Sequence, residues 1–440
     1  MRFRTSDIAA LLRADLVGPD VDVDGASIDS RTVERGQIFV PIVAERDGHD
    51  YIDAALDRGA AAYLTQRRPE RGSGIRVLDT GASLTRLGHM ARESLTGPVI
   101  GVTGSVGKTS TKDLIAAACA AACPTHANPA SFNNELGLPL TLLNAPDDTV
   151  VTVLEMGARG LGHIRTLCEV GRPTIGVVTR VALAHGEQFG TIDQVEQTKG
   201  ELVEALPADG FAVLNIGDPR VAAMAARTDA EVLTYGVERG DFAVTELVLD
   251  GELRPSFVLR TPHGPFEVRL EARGAHMADN AAAAVAAASA AGVRPEVAIR
   301  GLVGATTSTG RMSVEASRAG GMVINDAYNA NPTSVAAGVA ALSAMEADTR
   351  IAVLGFMAEL GSDSDALHRE TAEQVVAAGI RLVAVAAPGY GSSAEHVADP
   401  AGAFELLGPP GPGTAILVKG SLVAGLQPLA RAFVDEATPV

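Results

Sequence analysis

The feature that most limits the fold is an alternation that starts at Gly97-Pro98. Apolar runs at residues 99–104 (VIGVTG), 150–154, 174–178 and 211–214 are each followed by a stretch with helical spacing. Such a pattern predicts a mainly parallel sheet with helices on both faces. Residues 241–271 break it with a β-rich excursion in which Asp250-Gly251 signals a hairpin. An alanine-rich helix after Asn280 returns the chain to the sheet. From about Arg311 the alternation repeats, with strands expected at 322–325, 351–354, 382–385 and 416–418 and helices at 333–345 and 366–378. The GPPGPG run at 408–413 reads as a local turn. Before residue 96 short strands and turns are expected, with a strand at 37–40, a helix at 51–59 and an amphipathic helix over the opening MRFRTSDIAALLRADL. The expectation is an α/β chain of three domains, 1–96, 97–310 and 311–440.

The 440 residues suffice for such domains at ~150 residues each, without disulfide or metal staples. Hydrophobic residues at 47% and charged residues at 20% exclude disordered, collagen-like and disulfide-rich classes. With 53 acidic against 36 basic side chains the net charge is −17, which argues against a general nucleic-acid surface. Any phosphate must therefore sit in a local, purpose-built site. Cys119, Cys123 and Cys168 lack a disulfide or zinc framework, and the first two read as buried core thiols. The opening stretch is not a signal peptide, and the most apolar run, 281–292, is too short to cross a bilayer. A cytoplasmic protein with no membrane insertion is expected.

The strongest chemical signal is GVTGSVGKTS at residues 101–110, between an apolar strand and a helix. Glycines there let backbone N–H groups turn toward phosphate oxygens, and the helix N-terminus adds partial positive charge. Lys108 would reach the β/γ-phosphates of ATP and Thr109 would help hold Mg²⁺. The strict pattern has glycine where Val102 stands, and the plain alternative is a glycine-rich turn with a solvated lysine. Glu155 ends a strand of the sheet, where a carboxylate suits magnesium or a structural ion pair. His185 follows another strand; a lone histidine is most often structural. Lys199 would by default be an exposed helix lysine, and its charge does not suit a place beside magnesium. In the third block NDAYNANP (325–332) is either a turn or a nucleoside clamp, with Asp326 on ribose and Tyr328 on the base. Arg311 precedes it, and the loops GFMAELG (355–361) and Lys419-Gly420-Ser421 follow further strands.

In order along the chain these pieces, with DSRTVERGQIFVPIVAERDGHDYIDAALDRGAAAYL, SFNNELGLPLTLL and LEMGARGLGHI, resemble the Mur ligase family of ATP-dependent peptidoglycan-precursor enzymes nearly end to end. The resemblance implies an N-terminal domain binding a UDP-sugar, a central P-loop ATP-binding domain and a C-terminal Rossmann-like domain. Ser30 and Arg31 would contact the UDP-linked substrate. Residues Thr103, Gly104, Ser105, Val106, Gly107, Lys108, Thr109 and Ser110, together with Asn280, Arg311, Asp326 and Tyr328, would bind ATP. Magnesium would lie near Thr109, Glu155, His185 and Lys199, the last matching a lysine that relatives carbamylate with CO₂. Lys108, Lys199 and His185 would be catalytic. YNANP and NNELGLPLTLL favour the branch that joins D-alanyl-D-alanine to a UDP-N-acetylmuramoyl-tripeptide, acting as a monomer. A divergent paralogue joining a different amine or a single amino acid to a carboxylate donor, a non-catalytic nucleotide-binding scaffold and a plain P-loop NTPase are the rivals; retention of Thr109, Glu155, His185 and Lys199 speaks against the scaffold. The chain departs from the family pattern at Thr179-Arg180-Val181, at Phe356 where aspartate is common, and at Leu422 where arginine is usual.

Overall fold

The computed structural model describes residues 1–129, 132–182, 191–305, 308 and 310–436. At its centre is a nine-stranded sheet in the order Gly264–Arg269, Pro255–Thr261, Phe242–Leu249, Glu231–Val237, Phe211–Asn215, Ile175–Val178, Val99–Thr103, Val151–Glu155 and Thr125–Ala127. All neighbours pair in parallel except the first two pairs, which are antiparallel. The 241–271 excursion therefore extends the same sheet as an antiparallel edge. Its hairpin closes over residues 250–254, where the Asp250 carboxylate accepts from the backbone N–H groups of Glu252 and Arg254.

Alternate residues of the central strands feed two cores. Ile100, Val153, Val177 and Val213 point to one side, against helices Lys108–Ala120 and His276–Ala290. In the latter, Ala281 to Ala288 are completely buried, which is why that stretch is apolar all round. Val99, Leu154, Val178 and Leu214 point to the other side, against helices His163–Gly171 and Ile192–Glu204. That second core runs on without a break into the N-terminal block.

The N-terminal block has a five-stranded sheet in the order Asp15–Val17, Gly74–Arg76, Ala62–Thr65, Ile38–Phe39 and Ala26–Ser27. Its opening differs from expectation: Arg2–Arg4 is a strand and the helix covers only Thr5–Leu12, ending at Arg13 with φ 54°. Cross-strand charge explains the change, since Arg2–Arg4 pairs antiparallel with Asp22–Asp24 and sets Arg2 opposite Asp24 and Arg4 opposite Asp22. The expected helix at 51–59 is present as Ile52–Arg58 after a 3₁₀ turn.

The C-terminal sheet runs Ser313–Ala316, Met322–Asp326, Thr414–Lys419, Thr349–Gly355, Arg381–Val385 and Glu395–Val397, parallel apart from the first pair. Helices Pro332–Ala344 and Ser364–Ala377 cover one face, Pro400–Leu407 and Gln427–Asp435 the other. Of the cysteines, Cys119 and Cys168 are buried, and burial pushes both thiols up to about 12; Cys123 is only partly covered. No helix among the described residues is long and apolar enough to cross a membrane.

Candidate active site

The carboxyl ends of the central and C-terminal parallel sheets face a shared cavity of about 680 Å³, the position where open α/β sheets hold ligands. Residues 105–110 line its central side. The loop conformation depends on Gly104 at φ 146° and Gly107 at φ 84°. A Cβ on Gly104 would lie 1.9 Å from Thr179 Oγ1, so the loop packs directly on the end of strand Ile175–Val178. Thr179 Oγ1 donates to the Val106 carbonyl (2.6 Å), and Ser105 Oγ donates to the Ala182 carbonyl (2.8 Å). Thr103 stays behind the loop, its hydroxyl given to the Met156 carbonyl (2.9 Å).

Lys108 opens the helix Lys108–Ala120 and folds its ammonium onto the Gly104 carbonyl (2.7 Å). Burial lowers its pKa, Glu155 opposes the shift and Arg311 adds to it. Thr109 and Ser110 follow in the first turn and also line the cavity. Glu155 is 1% exposed; Asn128 Oδ1 accepts from its backbone N–H (2.8 Å) and Asn133 Nδ2 donates to its Oε1 (2.7 Å). Its Oε2 is buried with no hydrogen-bond partner among the described residues. A lone carboxylate oxygen in the same cavity lining as Thr109 and the phosphate loop fits Mg²⁺, which keeps most of its shell for water and phosphate. Among the described residues no three His, Cys, Asp or Glu side chains converge on a metal position.

Lys199 is 2% exposed in helix Ile192–Glu204, whose start is fixed by the Thr191–Gln194 capping box. Burial, reinforced by the charge of Lys108, drives its pKa well down, with Glu201 and Glu155 opposing. It is thus buried, not the exposed helix lysine that the sequence suggests by default. Glu201 accepts from the backbone N–H groups of Gly162 (2.6 Å) and Arg165 (3.0 Å), tying that helix to the start of helix His163–Gly171.

The C-terminal side of the cavity carries Arg311, Asp326, Tyr328 and Lys419. Arg311 stacks over the Tyr328 ring at 4.4 Å. Asp326 Oδ1 accepts from the Met312 backbone N–H (3.1 Å), while Oδ2 pairs with Lys419 Nζ (2.5 Å). Asn280, in helix His276–Ala290, reaches toward Gly107 from the central side: a Cβ there would lie 3.1 Å from Asn280 Oδ1.

Residues 102–288 match the Mur ligase middle domain and 310–422 the Mur ligase glutamate ligase domain. The chain is 38% identical to the UDP-N-acetylmuramoyl-tripeptide–D-alanyl-D-alanine ligase of Mycobacterium tuberculosis, over 93% of this chain and 92% of the relative. The chain is a Mur ligase. The enzyme of the same name from Escherichia coli is 31% identical over 98% of each chain. Among solved structures, MurF from Acinetobacter baumannii superposes with a TM-score of 0.89 at 27% identity over 99% of each chain. MurF from Thermotoga maritima in complex with ADP gives 0.81 at 27% identity, over 93% of this chain and 97% of that one.

In this Mur ligase the structure gathers residues 105–110, Glu155, Asn280, Arg311, Asp326 and Tyr328 around one cavity. His185 lies outside the described residues. Ser30 and Arg31 do not line that cavity. Arg31 is 87% exposed and bidentate to Asp29 (2.7 and 3.0 Å), which lowers the Asp29 carboxyl to about 2. Asp29 and Thr32, on either side of them, line a second cavity of about 540 Å³, whose far wall includes His126, Phe132 and Asn144. The Lys419 loop is singled out by its place at a strand end, but two contributors escape sequence reasoning as site residues. Asn133 has a signal in the doubled asparagine before ELG. Asn128 has none, because only the fold brings it to Glu155.

Proposed function

We propose that this Mur ligase joins D-alanyl-D-alanine to UDP-N-acetylmuramoyl-tripeptide at the expense of ATP, giving ADP and phosphate. The observation that carries the reading is the shared cavity, with a phosphate loop and an unpartnered carboxylate oxygen on one wall and Arg311, Asp326 and Tyr328 on the other. A carboxylate is a poor acyl donor. Its oxygen therefore attacks the γ-phosphorus, ADP leaves, and an acyl phosphate results. The acceptor amine then attacks the acyl carbon, gives up a proton, and inorganic phosphate departs. Lys108 neutralises charge on the transferring group, the main lever in such chemistry. Arg311 and Asp326 would hold the nucleotide's phosphates and ribose, and Tyr328 its base.

Glu155 and Thr109 would hold Mg²⁺, joined in the family pattern by His185 and Lys199; bound there, the ion would supply positive charge to the phosphates. The depressed pKa of Lys199 supports its modification, since only a neutral amine attacks CO₂. Attack forms an N–C bond, releases a proton and turns the side chain into an anion. Ser30 and Arg31 would meet the UDP end of the donor at the rim of the second cavity. The domains 1–96, 97–310 and 311–440 would then serve donor, ATP and acceptor respectively, in a cytoplasmic monomer.

The test is phosphate release from ATP and Mg²⁺ with UDP-N-acetylmuramoyl-tripeptide, with and without D-alanyl-D-alanine, and the product mass. Release that needs both substrates, with the pentapeptide mass, is expected. Turnover without the acceptor, or only with another amine, would overturn the assignment.

A further inference from the structure

Among the described residues, three buried polar atoms on residues lining the large cavity lack hydrogen-bond partners: Glu155 Oε2, Arg311 Nε and Asp279 Oδ1. Buried polar groups are nearly always paired, so each orphan asks for a ligand atom or another explanation. Magnesium and phosphate answer for the first two. Asp279 needs a different answer, because a carboxylate repels phosphate.

Asp279 lies in the first turn of helix His276–Ala290, one residue before Asn280. Its two oxygens are unequal. Oδ2 accepts from Asn215 Nδ2 (3.3 Å), and Asn215 is itself fixed by donating to the Thr179 carbonyl (3.0 Å) and accepting from the Gly217 N–H (2.8 Å). Oδ1 is left as a spare acceptor. The lining of the same cavity includes Tyr235, Val237 and Leu247, apolar surface suited to a flat ring. Tyr235 is locked there, its hydroxyl near the Val178 carbonyl (3.2 Å). Burial raises the Asp279 carboxyl pKa, and the Arg180 guanidinium and the Asn215 amide oppose the rise.

We propose that Asp279 selects the nucleotide base, accepting on Oδ1 a hydrogen bond from the exocyclic amine of a 6-aminopurine. A 6-oxopurine would set a carbonyl oxygen against that carboxylate oxygen, two acceptors with no proton between them. A site built on such a bond rejects the wrong partner because its own polar group is left unpaired. The proposal rests on ATP binding in this cavity, and it adds a specificity residue to the reading above.

The test compares binding of ATP and ITP by calorimetry, with amide formation measured separately, for wild type, D279N and D279A. Wild type is expected to favour ATP by about 100-fold. In D279N the amide oxygen keeps the Asn215 bond and turns an N–H toward the base, so the ATP:ITP ratio should fall by at least about 10-fold, through tighter ITP binding as well as weaker ATP binding. D279A should narrow the ratio about 10-fold without strengthening ITP. A purely structural role would weaken both nucleotides equally and leave the ratio alone, which would overturn the proposal. So would equal binding of ATP and ITP by wild type, even with ligase activity intact. Failure of wild type to bind either would overturn the ATP reading as well.

Discussion

The two walls of the cavity use the same architecture to different ends. Both are loops at the carboxyl ends of parallel strands, yet the central wall is buried and tightly tied while the C-terminal wall is partly apolar and open. On the central wall Glu155 is 1% exposed, and Thr179 and Ser105 pin the phosphate loop. On the C-terminal wall Lys419 and Asp326 are tied together, but on loops of the same domain outside the cavity lining Phe356 is 41% exposed and Leu422 57%. The contrast follows the chemistry. Phosphoryl transfer gains from fixed charges in a site closed to water, whereas on the proposed reading the C-terminal side holds the nucleoside and its outer loops would meet the acceptor.

The largest effects should therefore come from the central wall. Lys108→Ala and Glu155→Gln are each expected to lower kcat about 1000-fold, read by phosphate release, with little change in thermal midpoint. Retention of activity within about 10-fold in Glu155→Gln would remove that residue from the metal site. On the C-terminal wall the tied pair is a matter of stability. Lys419→Met leaves the Asp326 carboxylate beside an apolar chain, at a cost of about 3 kcal/mol in chemical unfolding. A loss below about 1 kcal/mol would mean that water or Met312 alone satisfies Asp326.

How far the sequence could be read follows the same division. Strand–helix alternation is a local property, and the strands at 99–104, 174–178 and 211–214 appear within a residue or two of expectation. Lys108, Thr109 and Glu155 are legible because their loop or strand end is legible. Arg2–Arg4 was misread because its strand character comes from Asp22–Asp24, which periodicity within one segment cannot see. Asn128 and Asn215 act only through contacts across the sheet, and Lys199 changes from exposed to buried once helix Ile192–Glu204 packs. The merging of the N-terminal block into the central core is likewise a property of the packed molecule.

A smaller effect tests that merging. Asn144 joins the two blocks, accepting from the Ala26 N–H (3.0 Å) and donating to the Ala26 and Leu140 carbonyls (2.9 Å each). Asn144→Ala should cost about 2 kcal/mol by leaving Ala26 unpaired, measured as a shift in the denaturation midpoint. A second transition at lower denaturant would show that the blocks unfold apart.

His368 offers a gentler probe of the C-terminal wall. Its Nε2 accepts from the Met357 N–H (3.0 Å) and its Nδ1 donates to the Ser364 carbonyl (2.7 Å), so the neutral ring holds the GFMAELG loop. Burial lowers its pKa. The unfolded chain therefore binds the proton more readily, and stability present above about pH 6.5 is lost as pH falls through the folded value. His368→Gln should flatten the slope of thermal midpoint against pH in that window. An unchanged slope would assign it to other groups.

The smallest effect is the most telling for the comparison. Phe356 and Leu422 sit on adjacent loops, joined by the Ser421 N–H donated to the Phe356 carbonyl (3.1 Å). Phe356 also stacks on His368 at 5.1 Å. Both side chains are apolar and exposed. A charge pair at such a surface is worth only about 0–1 kcal/mol, so charging either position should cost little stability. Phe356→Asp and Leu422→Arg should each raise the KM for D-alanyl-D-alanine a few-fold, about 3 to 5, with kcat nearly unchanged, while the double variant returns toward wild type because the new charges satisfy each other. Additive losses would show that the two positions act separately. A fall in kcat without a change in KM would place them in loop closure rather than in acceptor recognition.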